Sequence, residues 1–416
     1  MSLEQKINHQ LNKHPWAKKM VKGVYQRGMY AFSPKVIYEG AIKRVTPADG
    51  KEYFFGYYDK SPWNDDGRYM ICMRANNTWS EPDPKEEAEL VLIDTQNDNH
   101  VTLISKTRTW NVQQGCMAQW LGPDFHSRII FNDMRDGKYC SIIYNIETQK
   151  ETVLPLPIYA VSNDGVTALS LDFSRLHNLR PGYGYSVLPE ETKDIALPDA
   201  TAVWKMNIGT KEVQDLFSYK DFADFEPTIE MQGAVHKVNH IMISPDGCRF
   251  MILHRWFKGT RKYTRLLTCN LDGTEMYCLN DYGASHCFWK NNRDILAFTY
   301  QTGTGFGYYL MKDRTRDYTH LWKALDNDGH PSYSPCDNSL VVTDTYPNRI
   351  RMAEVKLIRD TDVDGRDIKV IARVFAPFKY DYDTRCDLHP RWKRDGTQVC
   401  FDSICEGYRG LYVVEI

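Results

Sequence analysis

His240-Ile-Met-Ile-Ser-Pro-Asp-Gly247, followed by the apolar run from Arg249 to His254, is the stretch on which the fold turns. It reads as an apolar strand, a tight turn rich in Pro, Asp and Gly, and a second strand. The same unit returns downstream. His286-Cys-Phe-Trp-Lys-Asn-Asn-Arg293 leads into Asp294 to Thr299, His330-Pro-Ser-Tyr-Ser-Pro-Cys-Asp337 into Ser339 to Thr343, and His389-Pro-Arg-Trp-Lys-Arg-Asp-Gly396 into Gln398 to Asp402. Looser copies stand upstream at Lys60-Ser-Pro-Trp-Asn-Asp-Asp-Gly67, Met117-Ala-Gln-Trp-Leu-Gly-Pro-Asp124 and Ile158-Tyr-Ala-Val-Ser-Asn-Asp-Gly165. That makes seven units, most of them 41 to 59 residues apart.

A further hairpin completes each unit, as at Leu90-Val-Leu-Ile-Asp94. Four short antiparallel strands per ~45 residues describe a propeller blade, because a lone four-stranded sheet cannot bury both faces and must pack radially against its neighbours. The expected fold is therefore all-β: a seven-bladed β-propeller over residues 35–416, with a short helical N-terminal extension over residues 1–34. The strand from Lys35 to Val45 is expected to close the ring against the last blade, whose other strands end at Leu411 to Ile416. The one wide spacing, Ile158 to His240, holds a Gly/Pro-rich excursion around Pro181 to Pro189 that reads as a long surface loop. Trp63, Trp120, Trp289 and Trp392 share one register position and read as packing between blades.

Apolar residues at 42% and charged residues at 25% place the chain among soluble globular proteins. A formal charge of −2 offers no broad basic surface for nucleic acid. The eleven cysteines are scattered singly, without a Cys-x-x-Cys pair, and read as free thiols in a reducing compartment. No secretory signal is read in Met1 to Gln10, and no apolar run approaches the ~20 residues that span a bilayer, so a cytoplasmic location is expected. Residues 5 to 31 combine Lys6, Lys13, Lys18, Lys19, Lys22 and Arg27 with Leu11, Trp16, Met20, Val21, Val24, Tyr25, Met29 and Tyr30. Such a basic amphipathic segment suits either packing on the outside of the propeller or peripheral contact with an anionic inner-membrane surface. Asp360-x-Asp362-x-Asp364-Gly365 begins like a calcium loop, but Ile371 stands where an EF-hand needs glutamate, and a solvated turn is expected.

The chemical signal lies three residues before the tryptophan position. There the seven units read Lys60, Met117, Ile158, His240, His286, His330 and His389. Four consecutive blades thus present histidine at one structural position, in a chain with only 12 histidines. The start of each innermost strand borders the central channel, so four imidazoles are expected to converge on one rim with Lys60 facing them. Neutral imidazoles suit a first-row divalent ion such as Mn or Zn, and equally suit proton transfer near neutral pH.

The run Ser285-His286-Cys-Phe-Trp289, the pair His240 and His254 around Ser244-Pro-Asp-Gly247, and His389-Pro390 resemble the oligogalacturonate lyases, in order from about Tyr38 to Ile416. Those are seven-bladed propellers that split oligomeric uronides by metal-assisted β-elimination. The resemblance implies that His286 abstracts the proton and that His330 and His389 bind the metal, manganese being the ion expected. The last blade departs from the family's Gln-x-x-His-x-His, reading Thr384-Arg-Cys-Asp387-Leu-His389, so that Asp387 becomes the third expected ligand. β-Elimination removes the proton on C5 of a uronate, beside a carboxylate that must be neutralised by a metal or a cation. Lys60, Arg255 and Arg391 are the cations expected to meet substrate carboxylates, Lys60 and Arg255 acting with His286. Tyr57, Tyr58 and Asp59 at the same rim, together with His240 and His254, are expected to contact the sugar. The expected function is a lyase on uronate-containing oligosaccharides. The alternative is a non-catalytic glycan-binding propeller serving cell-surface polysaccharide assembly at the inner membrane face.

Overall fold

Strands such as Asp294–Gln301 and Arg249–Lys258 carry apolar side chains on both faces, a pattern that only a sheet covered on both sides satisfies. In the computed structural model, which describes residues 15–33 and 35–416 (backbone alone for residues 15–19 and 22), seven antiparallel sheets supply that cover for one another. Each is a meander whose first strand lies innermost. Blade I comprises Glu52–Phe54, Tyr69–Ala75, Ala88–Asp94 and His100–Thr107, and blade II comprises Gln119–Trp120, Arg128–Arg135, Lys138–Asn145 and Glu151–Leu154. Blade III is Ala160–Val161, Thr167–Leu171, Thr201–Asn207 and Val213–Ser218, and blade IV is Val235–Ile243, Arg249–Lys258, Arg261–Asn270 and Tyr277–Asn280. Blade V is Cys287–Trp289, Asp294–Gln301, Gly305–Lys312 and Tyr318–Leu321. Blade VI is Ser332–Tyr333, Leu340–Asp344, Met352–Arg359 and Lys369–Phe375, and blade VII is Arg391–Trp392, Gln398–Ser403 and Gly410–Glu415. All-β, seven-bladed: the fold is the one expected.

Ring closure is more divided than the sequence suggests. Ile42–Arg44 completes blade VII, with Ile42 opposite Val414, whereas Tyr38–Glu39 adds a fifth strand to blade VI, with Tyr38 opposite Val374. Gly40 makes the transfer between blades. Its φ is +105°, and a Cβ there would stand 2.5 Å from the Ile371 carbonyl oxygen, so only glycine fits.

The register tryptophans are all buried, and three of them bond to the blade before their own. Trp120 Nε1 donates to Pro62 O (2.8 Å), Trp289 Nε1 to Met242 O (3.0 Å) and Trp392 Nε1 to Ser332 O (3.0 Å). Apolar clusters also cross the seams, as where Cys400 and Leu411 of blade VII pack with Ile71 and Val91 of blade I. The seam between blades VII and I holds an ionic network as well. Asp402 receives Arg391 Nη1 on Oδ1 (2.7 Å) and Arg409 Nη2 on Oδ2 (2.8 Å), and all three side chains are fully buried. Arg409 N donates to Glu52 Oε2 (2.8 Å), and Tyr380 Oη donates to Glu52 Oε1 (2.7 Å).

The long excursion is not a free loop. It lies between the second and third strands of blade III and begins with helix α2 (Phe173–Leu179), capped by Asp172, which accepts from Arg175 N (2.9 Å). Arg175 is buried, pairs with Glu190 (2.6 Å), and donates to the carbonyls of Thr192, Ile195, Ala196 and His236. The segment is thereby fastened to blade IV.

Helix α1 (Pro15–Ala31) rests on blade VI. Tyr30 stacks on Phe375 (4.8 Å, 17°), Gln26 Nε2 donates to Asn348 O (3.2 Å), and Arg27 lies over Phe378 (5.2 Å). Residues 1–14 and 34 of the expected N-terminal segment, Lys6, Leu11 and Lys13 among them, lie outside the described residues. A third helix, α3 (Tyr219–Asp224), carries a capping box from Ser218 and Asp221.

Asp402→Ala would leave two buried guanidinium groups without their counter-charge. The expected loss of stability is about 3–5 kcal/mol, read from the urea midpoint. A loss below about 1 kcal/mol would show that packing alone holds this seam.

Candidate active site

The four histidines do converge. Ring centroids of His286 and His330 are 4.1 Å apart, those of His330 and His389 4.3 Å, and those of His240 and His286 6.4 Å. At two of these positions the backbone itself is turned inward: His240 and His389 have φ of +58° and +44°, a left-handed geometry that costs a residue with a Cβ. Met117 shares it at the same register position in blade II (φ +57°).

His330 and His389 are prepared alike. His330 Nδ1 donates to Asp344 (2.8 Å), and His389 Nδ1 donates to Gly56 O (2.9 Å). Both Nε2 atoms are then left buried and without a hydrogen-bond partner. With Asp387 these two residues offer ligand atoms that all lie within 4.8 Å of one another. A buried polar atom without a partner is costly, and two lone pairs beside a carboxylate fit a divalent ion of intermediate softness such as Mn or Zn. Asp344 organises the pair: Oδ1 accepts from His330 N (2.9 Å), and Oδ2 accepts from His389 N (3.0 Å). Burial drives the His330 imidazolium down while Asp344 drives it up, and the net direction is upward. His389 is held well below its usual range by burial and by its neighbour His330. Asp387 does not stand free, since Arg385 grips it with Nε on Oδ1 (2.6 Å) and Nη2 on Oδ2 (2.9 Å). Thr384 supplies no ligand, its hydroxyl bonding Trp79 O (3.0 Å) and Asp381 O (3.2 Å).

His286 has a different partner. Its Nδ1 lies 3.0 Å from Asp328 Oδ1, and Nε2 has no hydrogen-bond partner among the described residues. Burial lowers its pKa more than Asp328 raises it, which favours the neutral ring with a lone pair on Nε2.

Arg255 stands opposite Lys237 on blade IV, and Lys262 follows on the next strand. Among the described residues none of these three cations has a carboxylate within ion-pair distance. Arg255 Nε is buried without a partner, and the Lys237 ammonium reaches only Leu179 O at 3.5 Å. Burial and then Arg255 push Lys237 well below its usual range, and the same causes lower Lys262 to about 8. Lys237 and the Arg255 Nε are thus buried without a counter-anion, whereas Lys262 stands exposed beside them.

Several expected contacts are corrected. His254 lies outside the ring: its Nε2 meets His236 Nδ1 (2.9 Å), its Nδ1 accepts from Arg265 Nε (3.1 Å), and the ring packs on Trp256 and Phe222. It sits on the second strand of blade IV, away from the axis. Arg391 is a seam residue, held by Asp402, Gly56 O and Tyr57 O. Lys60 pairs with Asp59 (2.7 Å) in a separate hollow with Ser61, Phe288, Trp392 and Arg394. Tyr58 walls that hollow and stands between Lys60 and the imidazoles, its centroid 5.3 to 6.3 Å from all four rings. Its hydroxyl is committed, donating to Cys287 O (2.8 Å) and accepting from Cys287 N (3.1 Å). His240 is likewise committed, with Nδ1 on the Tyr57 phenol (3.0 Å) and Nε2 facing Tyr58 and Cys287 O (3.2 Å each). The residues that sequence reasoning missed are Asp328, Asp344, Lys237, Lys262 and Arg385.

A roof lies over the ring. Tyr183, from the blade III excursion, meets Tyr57 edge-on (6.4 Å), and Arg180 pairs with Asp383 (2.9 Å) on the segment that carries Arg385 and Asp387. Gln113 Nε2 donates to the carbonyls of Asp383 (3.1 Å) and Arg385 (3.0 Å).

No family model matches the sequence, and no curated protein matches it either. Among solved structures the chain is similar to an oligogalacturonate lyase in complex with manganese, with TM-score 0.65 and 16% identity, over 92% of this chain and 96% of that one. It is also similar to an oligogalacturonate lyase from Vibrio parahaemolyticus, with TM-score 0.59 and 12% identity, over 91% and 96%. The β-propeller domain of the Trilobed protease from Pyrococcus furiosus, whose topology is an open velcro, aligns with TM-score 0.50 and 11% identity, over 86% and 95%. At such identities the likeness is one of architecture: the chain has the fold of an oligogalacturonate lyase-like seven-bladed β-propeller.

Proposed function

We propose that this protein is a carbohydrate-active lyase that cleaves uronate-containing oligosaccharides by β-elimination, assisted by a divalent ion. The observation that carries the reading is the pair of buried, unpartnered Nε2 atoms on His330 and His389 beside the Asp387 carboxylate. Those three residues would hold the ion, which when bound supplies Lewis acidity toward a substrate carboxyl group.

The chain's own groups account for the rest. Asp328 fixes the tautomer of His286, so Nε2 is the atom that takes the C5 proton. Arg255 and Lys237 lack counter-anions and would gain most from an anionic sugar, since an opposite charge reverses their burial penalty. Of these, Arg255 is the one assigned to the uronate carboxylate, since its Nε is buried without a hydrogen-bond partner. Tyr57, Tyr58 and His240 pack against the other imidazoles and hold them in place.

One observation favours the second reading, a glycan-binding propeller without catalysis. Arg385 neutralises Asp387 through two short hydrogen bonds and so competes with any metal for that carboxylate. Metal content separates the readings.

Purified protein incubated with manganese is expected to retain about one ion per chain, and His330→Ala with His389→Ala to retain none. Equal metal content in wild type and variant would remove the ion from the proposal. Asp344→Ala, which frees both ligand backbones, is expected to weaken metal affinity by roughly 10- to 100-fold. On oligogalacturonate the product absorbs in the ultraviolet, and His286→Ala is expected to slow its appearance by about 10²- to 10⁴-fold. Unchanged rates would exclude His286 as the base. Arg255→Met is expected to raise KM on oligogalacturonate while leaving binding of its neutral methyl ester unchanged; equal losses on both would make Arg255 structural.

A further inference from the structure

The first 35 residues carry seven Lys or Arg and one Glu, and the remaining chain carries 45 against 53. Basic charge is thus concentrated at the N-terminus of an otherwise acidic molecule. Helix α1 holds Lys18, Lys19, Lys22 and Arg27 of that set. At about 100° per residue, Met20, Val21, Val24 and Tyr25 fall within about 140° of arc, while Gln26 and Tyr30 fall on the other side. Gln26 and Tyr30 are the residues that dock on blade VI. The apolar arc therefore faces away from the propeller, and Met20 is 58% exposed, Val21 43%, Val24 67%, Tyr25 48%, and the following Phe32 94%. Four apolar residues in one stripe on a docked helix are not the scattered apolar exposure of an ordinary surface.

The place of the helix is equally particular. It touches Asn348, in the turn between the second and third strands of blade VI, and Phe375 and Phe378, at the end of the fourth strand. That end of the blade is where the inner strand begins, next to His330, and where the roof segment leaves toward Arg385. Tyr346, from the same turn, lies edge-on to His330 (5.8 Å). The helix and the roofed histidine ring lie toward the same end of blade VI.

We infer that α1 is a peripheral anchor that seats this protein on an anionic bilayer surface, with the histidine-bearing end of the disc turned toward the lipid headgroups. The exposed apolar stripe enters the headgroup boundary, and the net positive charge of the N-terminal segment favours an anionic surface, the combination that defines interfacial helices. Among the described residues no helix is long and apolar enough to cross a membrane, so the contact is interfacial. An acidic propeller, repelled by the same surface, would be held off it everywhere except at the helix.

The test is sedimentation of the full chain with vesicles of phosphatidylglycerol and phosphatidylcholine, against vesicles of phosphatidylcholine alone. Binding is expected to the anionic vesicles, weakening with salt. Lys18→Glu, Lys19→Glu and Lys22→Glu together are expected to lower the partition coefficient by on the order of 100-fold or more. Val21→Glu with Val24→Glu is expected to abolish binding while leaving the melting temperature and manganese content unchanged, and Met20→Gln gives a milder, independent check. Equal partition onto both vesicle types would overturn the inference, as would unaltered binding by the valine variants. Self-association that Val24→Glu dissolves, without vesicle binding, would assign the stripe to a second copy of the chain and overturn it also.

Discussion

The carbonyl oxygen of Gly56 accepts from both His389 Nδ1 and Arg391 Nη2, and through it the site is tied to the ring closure. Arg391 is fixed by Asp402, which also fixes Arg409, which in turn holds Glu52 at the start of blade I. One dry chain of charges therefore positions the last blade, the first blade, a histidine of the ring and the Tyr57–Tyr58 pair. Such a chain is stable only when complete, because each ion has lost its water and has no substitute for a missing partner. The position of His389 is a by-product of closing the disc.

Most of the fold was legible because a propeller repeats its physical problem. Every blade needs a turn after its inner strand, and Gly67, Gly165, Gly247 and Gly396 meet it with φ between +71° and +73°. The same repetition carried His240, His286, His330 and His389 to one register and hence to one place. It failed for single residues. Register names the strand and the height, and says nothing of what already occupies the axis. Tyr57 and Tyr58 fill it, so Lys60 lies beyond them and His240 is spent on holding them. His254 sits on a second strand, where a side chain has a neighbouring sheet to face rather than the channel. Arg391 shares its strand with His389 but points into the seam.

The supporting carboxylates were only partly within reach of sequence reading. Asp328-Gly-His330 and Asp387-Leu-His389 share an Asp-x-His spacing, and that match would have singled out Asp328. Asp344 arrives from the adjacent strand at a distance no motif encodes. Lys237 and Arg255 are likewise joined only by strand pairing. The blade III excursion looked like a surface loop because glycine and proline dominate it, yet Arg175, buried and bonded to four carbonyls, folds it down so that Tyr183 reaches the axis.

Three indole bonds, from Trp120, Trp289 and Trp392, reach back to the preceding blade, while Trp322 Nε1 reaches forward from blade V to Arg359 O of blade VI (2.9 Å). The seam between blades VII and I is joined by other groups. Among the described residues no indole bond crosses from blade I back to blade VII; guanidinium and carboxylate groups do that work. The joint that closes the circle and the histidine ring consequently share residues. A local parting there would scatter His389, Tyr57 and Tyr58 together while leaving six sheets intact, so that this architecture loses its site before it loses its shape.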